Sequence, residues 1–271
     1  MRIKMKTNMK AAWLLLLAIV VCLPLTATNL LAADMASLVN TAGMQRMLTQ
    51  RITKDYLFLG NQIRAGKASR QMKGSMALLV SNHDVLKKSV TDSKVVVLLA
   101  EVDPLLEKMV KITKAPYVKF SGATMLELSE AMLELYQAIV VELEGKQAEK
   151  TVAAVNVAGR QRMLSQRIAM FYAANEAGFK SDATVNQMKL SVDEFESAHK
   201  SLEANSLNSE DINRELQGVE NVWKTVRKYF TGSVEESYPV TIFVTTDDIM
   251  KRMNKITLLY VKAYWASKPK Q

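Results

Sequence analysis

Two stretches of the chain place a glycine, an arginine, two amides and a methionine on one face of a predicted helix. Residues three, four and seven positions apart share a helical face. An arginine side chain offers forked donors that suit a flat oxyanion, glycine admits close approach, and amides orient what binds. The candidate ligand-binding residues are Asn40, Gly43, Arg46, Met47 and Gln50, and Asn156, Gly159, Arg162, Met163 and Gln166. This chemistry predicts a site for a small anionic ligand.

The same face also suits a contact between two helices. Glycine would then permit close packing, arginine would pair with a carboxylate, and methionine would fill the remaining space. A glycine inside a helix costs roughly 1 kcal/mol relative to alanine, so either reading needs a reason for it. Spacing alone does not separate ligand binding from helix packing.

The two stretches are copies of one segment. Val39–Ile52 returns as Val155–Ile168 at an offset of 116 residues, with eleven of the fourteen positions identical. The similarity continues at the same offset, with Tyr56 corresponding to Tyr172. Duplication predicts two domains, residues 34–145 and 146–271, after a segment 1–33 of different character. Few glycines and prolines favour long helices, so we predict an all-α fold of two tandem four-helix up-and-down bundles.

Start and stop signals give approximate helix boundaries. A continuous helix is predicted to join the two copies across Gly145. The third helix begins at Asp103–Pro104 or earlier, near Lys94, and the fourth begins with a capping box at Thr124–Glu127. The last helix begins near Thr246. The only short strand candidate is Pro239–Val244.

The first 33 residues read as a secretory signal peptide. Arg2, Lys4, Lys6 and Lys10 precede the uncharged run Ala11–Leu25, and small residues follow up to Ala33. We predict export to the periplasm. The alternative is an uncleaved inner-membrane anchor, because residues 11–33 are long enough to span a bilayer. Cys22 lies inside this segment, so the rest of the chain has no cysteine for disulfides or thiol chemistry.

Composition argues against several function classes. The net charge of +9 falls to +5 once the four basic residues of the leading segment are set aside, and no basic stripe remains for nucleic acid. No nucleophile–base pattern or phosphate-binding loop is present, so we predict no enzyme activity and no cofactor. His83 and His199 occupy equivalent positions without metal-ligand spacing, and we expect inherited helix-surface residues there.

The strings Asn40–Arg51 and Asn156–Arg167 resemble the P-box of the PilJ/NarX-type sensor domain. That domain is the periplasmic N-terminal part of type IV pili methyl-accepting chemotaxis transducers and of nitrate/nitrite sensor kinases. In the nitrate sensors the ligand lies between the P-box helices of two subunits, held by the motif's glycine and arginine. The resemblance assigns those roles to Gly43 and Arg46 and to Gly159 and Arg162. The nitrate-sensor motif differs from this one after its Arg–Met pair, so nitrate is one candidate among small anions.

The resemblance also implies partners. Family receptors continue through a second membrane span into signalling modules, whereas this sequence runs to Gln271 with no second apolar span. We therefore expect a sensing protein that acts with a membrane-bound chemoreceptor or sensor kinase. The alternative is a ligand-free interaction protein that dimerises or docks through its P-box faces. The two P-boxes either pair within one chain or pair with their twins in a homodimer.

Overall fold

A computed structural model describes residues 35–146, 149–231 and 236–268. Within these ranges the chain is all-α and contains no strand, as the sequence predicts. The helices are α1 (Met35–Gly60), α2 (Ala65–Ser89), α3 (Ser93–Lys114), α4 (Lys119–Glu144), α5 (Lys150–Ala174), α6 (Asp182–Glu203), α7 (Glu210–Val226) and α8 (Pro239–Ala266). A π-helical turn, Asn175–Phe179, follows α5, and a 3₁₀ turn, Arg227–Tyr229, follows α7.

Each copy folds as a bundle of four helices. In the first copy α1 packs against α2 and α4, and α3 packs against α4; in the second, α5 packs against α6 and α8, and α7 against α8. The Gln50 amide donates to the Ser129 carbonyl at 3.1 Å, and the Thr53 hydroxyl donates to the Met125 carbonyl at 3.2 Å. As the residue number rises on α1 it falls on α4, so these two helices run antiparallel.

The two P-box helices, α1 and α5, pack against each other within the one chain. The Lys54 ammonium donates to Gln166 at 2.8 Å, and the Asn61 amide donates to the Ala173 carbonyl at 3.5 Å. Both contacts join residues 112 apart, close to the repeat offset, so α1 and α5 run parallel. The two copies are therefore related by an approximate two-fold axis along this helix pair.

The predicted continuous helix across Gly145 is wrong. The α4 helix ends at Glu144, Glu149 has an extended backbone, and α5 begins at Lys150. Because α4 is antiparallel to α1 while α5 is parallel to it, the chain must reverse direction between α4 and α5. A straight helix cannot make that reversal. The predicted domain division at residues 145–146 falls in this link and stays a prediction.

Of two other predicted helix starts, the first falls at the earlier of its two alternatives and the second is wrong. The side chain of Asp92 accepts from the backbone N–H groups of Lys94 and Val95, so α3 begins at Ser93 and Pro104 lies inside it. This early start is the one that the sequence left open near Lys94. The fourth helix begins at Lys119, five residues before the predicted capping box. These two helices extend through local start signals because packing stabilises them, α3 against α4 and α4 against α1.

The strand candidate Pro239–Val244 is the first part of α8. Proline suits the first turn of a helix, where its missing N–H would have no partner. Ile242 and Phe243 are buried in the bundle core. The predicted start near Thr246 is therefore several residues too late, and the predicted signal peptide lies outside the described residues.

Candidate functional site

The arginines of the two P-boxes meet at the approximate two-fold axis between α1 and α5. Arg46 and Arg162 are both completely buried. Their side chains extend toward the N-terminal ends of their helices, as helical side chains do. Each one crosses to the other copy: Arg46 Nη2 donates to Asn156 Oδ1 at 2.8 Å, and Arg162 Nη2 donates to Asn40 Oδ1 at 2.9 Å.

The remaining partners of these arginines are neutral as well. Arg46 Nη1 donates to the amide oxygen of Gln137 on α4, and Arg162 Nη1 donates to that of Asn254 on α8 at 2.7 Å. Within the described ranges neither Arg46 nor Arg162 forms an ion pair, and the Nε atom of each has no hydrogen-bond partner. Two buried cations thus share an environment of amide oxygens.

The P-box glycines make room for the arginine side chains. A Cβ atom on Gly43 would lie 3.2 Å from Arg46 Nη2 and 3.8 Å from Arg162 Nη2. On Gly159 it would lie 3.1 Å from Arg162 Nη2 and 3.8 Å from Arg46 Nη2. Each glycine therefore borders both arginine head groups, and a side chain at either position would displace the ends of these arginines.

Burial without a counter-charge is unfavourable for both cations. Burial lowers the pKa of Arg46 to about 9, and the positive charges of Arg160 and Arg162 lower it further than Glu144 and Glu194 raise it. Burial lowers the pKa of Arg162 to about 10. Shifts of this kind mark a place where negative charge is favoured, because an anion between the two arginines would offset both effects.

The side chain of Asn156 links the arginine pair to a carboxylate, that of Glu144. Asn156 Nδ2 donates to Glu144 Oε2 at 2.5 Å while its oxygen accepts from Arg46. This carboxylate, together with Gln137 and Asn254, was missed by the sequence reasoning. A signal did exist for the last two, because Gln137 and Asn254 are both carboxamides about one repeat length apart.

The other predicted site residues form their described contacts away from the head groups of the arginine pair. Met47 and Met163 are buried and line two grooves on opposite flanks, the first beside α2 and α8 and the second beside α4 and α6. The amides of Gln50 and Gln166 donate to the carbonyls of Ser129 and Thr246. These four residues tie the P-box helices to their bundles. Of the ten predicted residues, the structure brings together Asn40, Gly43, Arg46, Asn156, Gly159 and Arg162.

A comparison with known families matches this repeat. The model of the type IV pili methyl-accepting chemotaxis transducer N-terminal family, PilJ, matches residues 32–115 and 145–242, about two-thirds of the chain. The chain belongs to the PilJ family. It therefore carries two tandem copies of a sensory domain of chemotaxis transducers. No curated protein and no solved structure matches the chain. None of the described helices is long and apolar enough to cross a bilayer.

A buried charge cluster lies further along α1 and connects the two PilJ copies. The Lys54 ammonium donates to Gln166 of the second P-box at 2.8 Å and to Asp247 on α8 at 2.7 Å. Asp247 also accepts from Gln71 at 2.5 Å. Lys54 lies 3.3 Å from Asp55, but neither oxygen of Asp55 has a hydrogen-bond partner among the described residues.

The pKa values of the two carboxylates in this cluster are shifted in opposite directions. Burial raises the pKa of Asp55 to about 6, against the attraction of Lys54 and Arg51. For Asp247 the desolvation is outweighed by the charges of Lys54 and Arg51 and by its hydrogen bonds, so its pKa is lowered. The second copy has Met170 and Phe171 at the positions of Lys54 and Asp55, so this cluster belongs to one side of the axis only.

The two histidines are buried, so the expected surface location is wrong. His83 contacts the Tyr136 hydroxyl at 3.0 Å and Asp103 at 2.9 Å. His199 lies 3.7 Å from both Glu203 and Glu220, and burial lowers its pKa. Each histidine faces inward to join helices of its own bundle. Among the described residues no group of three or more potential ligands could hold a metal ion.

Proposed function

We propose that this PilJ-family protein is a periplasmic sensor that binds one small anion, such as nitrate or nitrite, between α1 and α5 of a single chain. The observation that carries the proposal is the pair of buried arginines, Arg46 and Arg162, held only by neutral oxygens. Bringing two like charges together in a low-dielectric site is unfavourable unless negative charge joins them. A planar oxyanion can accept hydrogen bonds from both guanidinium groups at once.

Binding in this site is coupled to the arrangement of the helices. Both arginines are fully buried, so an anion enters only when α1 and α5 move apart or their side chains rotate. Asn40 and Asn156 then release the arginine groups they hold across the axis. A ligand shifts such an equilibrium by its differential affinity for the two arrangements. We propose that the shift is read by a membrane-bound chemoreceptor or sensor kinase, in keeping with the family's role in signal transduction.

The alternative of a ligand-free protein that docks or dimerises through its P-box faces gains no support from the packing. Those faces are buried against each other within the chain. Internal pairing likewise places both arginines in one site, without a second subunit. We also propose that residues 1–33 are a signal peptide and that the two PilJ domains span residues 34–145 and 146–271.

Chemical unfolding in the presence of anions tests the proposal. At a concentration one hundred times the dissociation constant, a ligand of the folded state adds about 2.7 kcal/mol to the free energy of unfolding. We expect nitrate or nitrite to give this increase, and chloride at the same ionic strength to give much less. A chain whose unfolding midpoint is the same in all three salts would argue against an anion site.

A matched pair of variants tests whether the uncompensated positive charge of the two arginines is what favours anion binding. In Asn40→Asp a carboxylate replaces the oxygen that lies 2.9 Å from Arg162, and we expect about 1–3 kcal/mol of added stability and a weaker nitrate response. Asn156→Asp makes the same change beside Arg46, but Glu144 lies 2.5 Å away and would repel it. We expect little or no gain there. Equal effects of both variants would contradict the charge argument.

A further inference from the structure

The second PilJ copy contains a pocket that lies away from the arginine pair. It opens between the end of α5, the first half of α6 and the 3₁₀ turn after α7, and encloses about 460 Å³. Sites for small organic molecules span about 300–1,000 Å³. The pocket shares no residue with the proposed anion site.

The corresponding space in the first copy is filled by an aromatic ring. The Tyr56 hydroxyl accepts from the backbone N–H of Val118, and the Tyr172 hydroxyl accepts from that of Tyr238. The residues just before these two N–H groups, Tyr117 and Ser237, are therefore equivalent. The Tyr117 ring lies 5.0 Å from that of Tyr56.

Gly60 admits this ring. A Cβ atom at Gly60 would lie 2.0 Å from the Tyr117 ring, so only glycine allows the ring to lie there. By the repeat offset, Glu176 stands at the position of Gly60. The Ser237 hydroxyl donates to Glu176, and no ring from residue 237 covers Tyr172. Among the described residues, the second copy thus has two polar side chains and a pocket in place of the Gly60–Tyr117 pair.

The lining of the pocket combines apolar and oppositely charged groups. Tyr172, Met188 and Phe230 supply apolar surface. The negatively charged lining residues are Glu176, Asp193 and Glu236, and the positively charged ones are Lys180, Lys189 and Arg227. Within the described part of the chain Lys180, Lys189 and Asp193 form no ion pair, so their charges are available to a ligand.

We propose that this pocket binds a zwitterionic amino acid with an aromatic side chain. The ligand ring would take the place that Tyr117 fills in the first copy and pack against Tyr172. Its ammonium would face Glu176, and its carboxylate would face Lys189. A ligand with a single charge would face lining groups of the same sign, so a zwitterion fits best.

Isothermal titration calorimetry with L-phenylalanine tests this inference. We expect L-phenylalanine to bind the wild-type chain. Phenethylamine lacks the carboxylate and 3-phenylpropionate lacks the ammonium, and we expect each to bind at least about tenfold more weakly because a charge-assisted hydrogen bond is lost. No heat with L-phenylalanine, or equal affinity for all three compounds, would overturn the proposal.

A matched variant fills the pocket with the residue pair that is found in the first copy. Glu176→Gly with Ser237→Tyr recreates the pair Gly60–Tyr117, which the equivalent bundle of the first copy already accommodates. We expect this variant to lose L-phenylalanine binding while its nitrate response stays as in the wild type. Retained amino-acid binding would overturn the proposed pocket, whatever the outcome at the arginines.

A second variant tests the same pocket if the double variant disturbs folding. Lys189 is exposed, so Lys189→Met should fold normally. We expect it to weaken L-phenylalanine at least about tenfold and to leave phenethylamine, which has no carboxylate, unchanged. Unchanged affinity for L-phenylalanine would contradict the role given to Lys189 and, with it, the recognition of a zwitterion.

Discussion

Replacing both buried arginines by glutamine is expected to abolish the stabilisation of the chain by nitrate or nitrite. In Arg46→Gln with Arg162→Gln the two positive charges disappear, while each glutamine keeps an N–H donor for the surrounding amide oxygens. The variant should lose the whole ligand-dependent increment, about 2.7 kcal/mol at a hundredfold excess over the wild-type dissociation constant. In anion-free buffer it should be as stable as the wild type or more so, because a buried repulsion is removed. Urea unfolding with and without anion measures both quantities.

An exposed arginine provides the control. Arg214→Gln removes a charge whose side chain is 65% exposed and pairs with Asp211 on the surface. Surface ion pairs contribute little, so this variant should keep both the stability and the anion response of the wild type. If the double variant also keeps its anion response, or if it merely unfolds, the arginines are structural and the sensing proposal loses its main support.

Asp55→Asn is expected to stabilise the chain at neutral pH. In the folded state the pKa of Asp55 is raised from 3.8 to about 6, so the folded protein holds this proton more tightly than the unfolded one. Stability from this group is fully present below pH 3.8 and is lost as the pH rises through about 6. A shift of about two units corresponds to about 3 kcal/mol. Asparagine gives up the attraction of Lys54, which lies 3.3 Å from Asp55, but burial of the carboxylate outweighs that attraction.

The measurement is the free energy of unfolding from pH 4 to pH 8. The wild type should lose stability across the interval where Asp55 ionises, and Asp55→Asn should show a flatter profile and a higher value at pH 8. Asp247→Asn is the contrast, because its lowered pKa stabilises the fold above pH 3.8 and it lies 2.7 Å from Lys54. It should destabilise the chain at pH 8. Parallel profiles for the wild type and Asp55→Asn would contradict the account of this cluster.

The repeat in the sequence was sufficient to predict the fold class and the centre of the candidate site. Two closely similar P-box strings predicted two helical copies, and the helical face predicted that Gly43 and Arg46 lie together. The structure shows these positions bordering the two-fold axis with Gly159 and Arg162. Such features follow from local periodicity, which can be read from a single amino-acid sequence.

Features that depend on how helices run past one another could not be predicted. The break between α4 and α5 follows from the need to reverse direction, and Gly145 alone did not indicate it. The crossing of Arg46 to Asn156 follows from the parallel packing of α1 on α5. Two alternative pairings, within the chain or between chains, were compatible with the same face.

The charge cluster around Lys54 was missed for a related reason. Lys54 and Asp55 are ordinary surface residues by type, and only the packing of α1 against α5 and α8 buries them. A comparison of the two copies held a signal, because the second has Met170 and Phe171 at those positions. Apolar residues in one copy at the positions of charged residues in the other indicate a buried location.

A crystal structure of the wild-type chain grown in nitrate tests the central claim most directly. The account predicts planar density between the arginine head groups of Arg46 and Arg162, within hydrogen-bonding distance of both, with Asn40 and Asn156 turned away and one anion for each chain. Crystals in which Arg46 still donates to Asn156 and Arg162 to Asn40, with no anion between them, would contradict it.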